Sequence, residues 1–85
     1  MELMANGPEL GLERIQHMLC SIGALDGIDP GEDFYDAGFS SIASLQLLVE
    51  LEDVWGMSIP DDDFIQARTP RALYALVARL TETQA

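Results

Sequence analysis

The chain is 85 residues long, with fifteen acidic residues against four basic ones and a formal net charge of −11. That length holds one small domain with a modest core, and an apolar content of 48% lets it fold without staples. Cys20 is the sole cysteine, which excludes an internal disulfide and a cysteine-based metal site and leaves it as a small buried hydrophobe of the first helix. No apolar stretch approaches the roughly 18 residues of a membrane span. The opening MELMANGPEL has neither the basic nor the apolar region of a secretory signal. A cytoplasmic monomer is the default expectation, made of a single domain over residues 1–85 with its core at about 8–82.

The charge is unevenly placed. From Asp26 to Asp63 there are eleven acids and no base, with Arg14 and Arg68 flanking the gap, and the chain contains no lysine. The two ends cancel, so the middle carries the whole excess. Such a field repels nucleic acid and anionic lipid, so neither nucleic acid nor membrane is expected as a partner, and it steers basic proteins inward.

In chain order, Asn6-Gly7-Pro8 is a helix-start signal. Leu12, Ile15, Met18, Leu19 and Ile22 then recur at helical spacing, and Gly23 is placed to cap the end, giving a first helix over roughly 8 to 23. ALDGIDPGEDFYDAGFS, from Ala24 to Ser40, reads as a long loop pinned to the core by Phe34 and Tyr35, and loops of this length are usually functional. A second helix starts at Ser40 or Ser41 and runs to about Trp55, where Gly56 ends it. MSIPDDDF is a connector broken by Pro60, with one short helical turn over Asp61 to Ile65. Thr69-Pro70 starts a last helix, faced by Leu73, Leu76, Val77 and Leu80 and ending near Thr81. No strand pattern appears. The expected fold is all-α: three main helices plus a short one, with a long first loop.

Helix two has too many apolar residues for one face. Leu47, Leu48, Leu51 and Trp55 make a stripe that faces the core, while Ile42, Leu45 and Val49 make a second, rotated away and adjacent to Ser41. A small protein cannot bury a helix on every side, so the second stripe, rimmed by Gln46, Glu50, Glu52 and Asp53, is expected to be an exposed docking surface. The serine pair at the helix head has no base to activate it. His17 is the sole histidine, mid-helix among apolar residues, and the G-x-S-x-G elbow is absent, so no catalytic residue is assigned. Either serine suits an N-cap. A hydroxyl at a helix N-terminus is also well placed to carry a phosphate, since free N–H groups and the dipole favour an anion there. DGIDPGED and PDDDF lack the spacing of a calcium loop, and no metal ligand is assigned.

DFYDAGFSSIASLQLLVELEDVWGMSIPDDDF resembles the core of the acyl and peptidyl carrier proteins, matching at Asp36, Gly38, Ser41, Ile42, Leu45, Leu51, Glu52, Ile59, Pro60 and Asp61. The resemblance extends over roughly residues 10 to 82. It implies a four-helix bundle, not an enzyme, whose serine receives 4′-phosphopantetheine as a phosphodiester, the arm's thiol then carrying an acyl, aminoacyl or peptidyl thioester between enzymes. Counting back ten residues from Leu51 puts that serine at Ser41. Ser40 stands where fatty-acid carriers usually have Asp, and GFSSI is closer to carriers of amino acids or secondary-metabolite intermediates. A polyketide or nonribosomal peptide pathway is therefore expected over fatty acid synthesis. Partner-facing positions fall on Ile42, Leu45, Gln46, Val49, Glu52 and Asp53, with Gln46 neutral where an acid is often seen. The implied partners are a phosphopantetheinyl transferase, a loading enzyme (adenylation enzyme, ligase or acyltransferase), and a downstream synthase, transferase or thioesterase. An interaction domain that keeps the fold but is never modified is the alternative.

Overall fold

Apolar residues at three- and four-residue spacing, punctuated by Pro and Gly, produce helices and nothing else among the described residues. The computed structural model describes residues 8–84, with the side chains of residues 11–81. Four helices follow in order: α1 (Pro8–Gly23), α2 (Ser41–Trp55), α3 (Asp61–Gln66) and α4 (Pro70–Gln84). Asn6 and Gly7 of the expected start signal lie outside the described residues. α1 packs against both α2 and α4, and α3 against α4.

The core is where the stripes converge. Ile15 and Leu19 of α1, Leu47 and Leu51 of α2, Leu73 and Val77 of α4, and Phe34 of the first loop are each buried to within 1% of completely. Each such side chain contributes about 1.5–3 kcal/mol of burial. No polar or charged side chain is buried among the described residues. Leu48 and Trp55, expected in the core stripe, are half-buried at its margin, and Ala43 takes the inward position nearest the helix head. Cys20 is half-buried rather than enclosed, and His17 stands exposed instead of among apolar neighbours.

Helix ends follow local chemistry, with two departures from expectation. Gly56 closes α2 in the left-handed region at φ 63, its N–H donating to the Glu52 carbonyl. Gly23 does not play that part for α1. The left-handed residue is Ala24, φ 56, and the Leu25 N–H closes the turn on the Cys20 carbonyl at 3.0 Å. Gly23 is needed for space instead: a Cβ there would lie 2.4 Å from Cδ1 of the Phe39 ring. α4 starts as expected, with Thr69 Oγ1 accepting the Ala72 N–H at 3.1 Å, but it continues past Thr81 to Gln84. The Thr81 hydroxyl donates back to the Val77 and Ala78 carbonyls, which satisfies the polar group inside the helix rather than breaking it.

The long loop is fastened at several points. Gln16 Nε2 donates to the Ile28 carbonyl at 2.7 Å, the Arg71 N–H to the Pro30 carbonyl at 2.9 Å, and the Phe34 N–H to the Arg68 carbonyl at 3.0 Å. Phe34 is fully buried and Tyr35 half-buried, so these two aromatics pin the loop; Phe39 adds a third anchor, edge-on to Phe34 at 5.3 Å between ring centroids.

Candidate functional site

The two serines at the head of α2 have different roles. Ser40 is the N-cap: its backbone is extended, and its Oγ accepts the Ala43 N–H at 3.0 Å. Its carbonyl accepts the Ser44 N–H at 3.0 Å, the first bond of the helix. Ser41 is the first helical residue and is exposed, and its hydroxyl makes no hydrogen bond among the described residues. The N–H groups of Ser41 and Ile42 belong to the unsatisfied first turn. That turn contains no acidic residue, so the positive end of the helix dipole is not neutralised by the chain itself.

Beyond Ser41 the outer face of α2 is apolar. Ile42 is 77% exposed, Leu45 65% and Val49 64%, forming a strip down the helix. Gln46, Glu50 and Asp53 are exposed along its border. Glu52 departs from the expected rim. It is partly buried, and its Oε2 accepts the Ile59 N–H at 2.9 Å, bracing the α2–α3 connector. An acid expected on the exposed rim of the docking surface is therefore a structural ligand of the backbone.

Two exposed apolar residues were not foreseen, Val54 of α2, which is 38% exposed, and Ile65 of α3. Ile65 is 63% exposed and shares with Leu45 an open cleft of about 220 Å³, walled also by Tyr35, Ser44, Leu48, Asp61 and Phe64. A six-residue helix carries too little periodicity to reveal which apolar residue points outward, so the sequence held no usable signal for it. At the head of this region, Asp33 joins Arg68 (Nε to Oδ2, 2.7 Å), and the Arg68 guanidinium lies 4.7 Å from the centroid of the Tyr35 ring. The hydrogen bond from Arg68 holds the Asp33 carboxyl below the usual carboxylate range, and the same bond raises Arg68.

These features fit covalent attachment of an anionic arm: an unengaged, exposed hydroxyl, first-turn N–H groups without partners, and no competing carboxylate on that turn. No group of three or more potential metal ligands clusters among the described residues, and no described helix is long and apolar enough to cross a membrane.

A family model described as "Phosphopantetheine attachment site" matches residues 13–77, from the first turns of α1 to the middle of α4. The chain is 38% identical over 60 residues to the acyl carrier protein of the actinorhodin polyketide synthase from Streptomyces coelicolor, a match covering 65% of this chain and 70% of that one. No solved structure matches the chain significantly. The match takes in the whole of α2, its two serines and the cleft beside it. An all-helical bundle, a free hydroxyl at a helix head and these similarities lead to one statement: the chain belongs to the phosphopantetheine-binding carrier proteins, which hold a covalent 4′-phosphopantetheine and convey acyl groups rather than catalyse.

Proposed function

We propose that Ser41 is the residue that carries 4′-phosphopantetheine, and that the chain serves a secondary-metabolite pathway of the polyketide type. The observation that carries the assignment is the division of labour at the helix head. Ser40 Oγ is engaged by the Ala43 N–H, whereas the Ser41 hydroxyl is exposed and unengaged. When bound, the arm supplies a terminal thiol that holds the cargo as a thioester. The chain's own residues present the attachment oxygen, favour an anion beside it through the open first turn, and offer the Ile42, Leu45 and Val49 strip to whichever enzyme approaches.

Carriers of this family meet a phosphopantetheinyl transferase, an enzyme that loads the arm and synthase enzymes that use the cargo, and each meeting must be brief. Long-range charge gives fast association, and a small apolar strip gives limited residence. The acid-only segment and the exposed strip of α2 supply those two terms. The relative's membership of a polyketide synthase favours an acyl cargo of that class. The GFSSI head, with serine in place of the usual aspartate, also suits carriers of aminoacyl or peptidyl groups.

Intact-mass spectrometry after incubation with coenzyme A and a phosphopantetheinyl transferase tests the assignment. Wild type and Ser40→Ala gain the mass of one arm, although loss of the cap costs Ser40→Ala about 1 kcal/mol of stability. Ser41→Ala gains nothing. A Ser41→Ala protein that still gains the arm would move the site to Ser40. The cargo class is read from the mass of the loaded arm on protein from the native host.

A further inference from the structure

Asp33 holds three groups with one carboxylate. Oδ1 accepts the Tyr35 N–H at 2.9 Å and the Asp36 N–H at 3.2 Å, while Oδ2 accepts Arg68 Nε at 2.7 Å. Arg68 returns two more ties, its carbonyl taking the Phe34 N–H at 3.0 Å and its guanidinium lying over the Tyr35 ring. The bonding continues toward α2. Ala37 N–H donates to the Asp33 carbonyl at 3.1 Å, Gly38 N–H to Tyr35 at 3.1 Å and Phe39 N–H to Phe34 at 2.9 Å. Every N–H from Phe34 to Phe39 is thus bonded within one turn anchored on Asp33 and Arg68, and the next residues are Ser40 and Ser41.

Steering of basic partners does not call for this arrangement. It places one of only four bases against the acid-only segment and so weakens the field that attracts those partners. Core burial does not call for it either, because Arg68 is half exposed and Phe34 is already enclosed. What the pair does set is the path of the segment that delivers Ser41.

We propose that Asp33 and Arg68 are positioning residues for the modification of Ser41, joining the α3–α4 connector to the loop so that the Ser41 hydroxyl is presented in one orientation. This rests on Ser41 being the attachment residue. In the reaction, Ser41 Oγ bonds to the pantetheine-side phosphorus of coenzyme A, and the pyrophosphate P–O bond breaks. Adenosine 3′,5′-bisphosphate leaves, and the hydroxyl proton passes to a base of the transferase. Misplacement of the attacking oxygen slows that step, whereas docking through the α2 strip is untouched. The pair is therefore felt in kcat rather than in KM.

The test measures loading kinetics with coenzyme A and transferase, at a temperature where circular dichroism shows each variant folded. Arg68→Gln and Asp33→Asn each lower kcat about three- to tenfold with KM within about twofold. The double variant is no slower than the worse single, because both remove the same link. Arg68→Lys, which keeps an ion pair, lies between Arg68→Gln and wild type. Arg14→Gln, with the same charge change on α1, loads like wild type and removes net charge as the cause. Amide exchange quickens at Tyr35 to Phe39 in Arg68→Gln while α1 and α4 stay protected. Wild-type kcat in both singles, losses that multiply in the double, or a rise confined to KM would each overturn the proposal. Ser41→Ala in an otherwise unaltered chain separates the two readings. If it still gains the arm, the attachment assignment fails; if it does not, while the Asp33 and Arg68 variants load normally, only the positioning role fails.

Discussion

Glu52 Oε2 accepts the Ile59 N–H at 2.9 Å, while the Glu52 backbone carbonyl accepts the N–H of Gly56 and, at 3.2 Å, that of Met57. One residue therefore secures the last turn of α2 and the connector beyond it. Ile59 is 4% exposed, so water offers its N–H little replacement if the carboxylate is removed. A buried donor left without an acceptor costs about 1–3 kcal/mol. Glu52→Lys is expected to lower Tm by about 4–24 °C, at some 4–8 °C per kcal/mol for a domain of this size. Glu52→Gln, which keeps an acceptor oxygen, loses less than half as much. Thermal melts of the two variants decide the point, and a wild-type Tm for Glu52→Lys would make Glu52 a surface acid after all.

Glu52 also shows where reading the sequence stops. The exposed strip of Ile42, Leu45 and Val49 was legible because helical spacing alone rotates those residues away from Leu47 and Leu51. The starts of α2 and α4 were legible because Ser and Thr-Pro mark them locally. The partner of Glu52, in contrast, is a backbone N–H seven residues on, reached only because the connector doubles back. Asp33 and Arg68 are 35 residues apart, and no local pattern joins them. Charge counting treats such acids as interchangeable, whereas the folded chain separates bracing acids from free ones.

The end of α1 yields a prediction of opposite signs at adjacent residues. Ala24 occupies the left-handed region at φ 56, where a Cβ costs roughly 1–2 kcal/mol, partly offset by the greater entropy that glycine loses on folding. Ala24→Gly should therefore stabilise the protein by about 0.5–1 kcal/mol. Gly23→Ala should destabilise it by about 1–3 kcal/mol, since the new methyl meets the Phe39 ring and the side chain just before Ser40 must move. Urea unfolding at neutral pH compares the pair. If Gly23→Ala is the more stable of the two, the helix end is not as described.

The docking face separates apolar contact from charge. Val49 is 64% exposed and lies outside the core, so Val49→Asp should leave helicity and Tm near wild type while lowering transfer to partner enzymes. A collapse of the melt would make Val49 a core residue. Asp53, next to Glu52 but exposed, has no ion pair among the described residues, so Asp53→Lys should keep or raise Tm by relieving repulsion within the acid-only segment. Its cost should appear at association, as a lower kcat/KM for loading at low ionic strength. That deficit should shrink as salt approaches 1 M, where the Debye length falls to about 3 Å, whereas the Val49→Asp deficit should persist because lost apolar contact is not screened. The two variants thus differ in salt response rather than in size of effect. If Asp53→Lys loads at the wild-type rate in low salt, the charge at this position serves solubility and not docking.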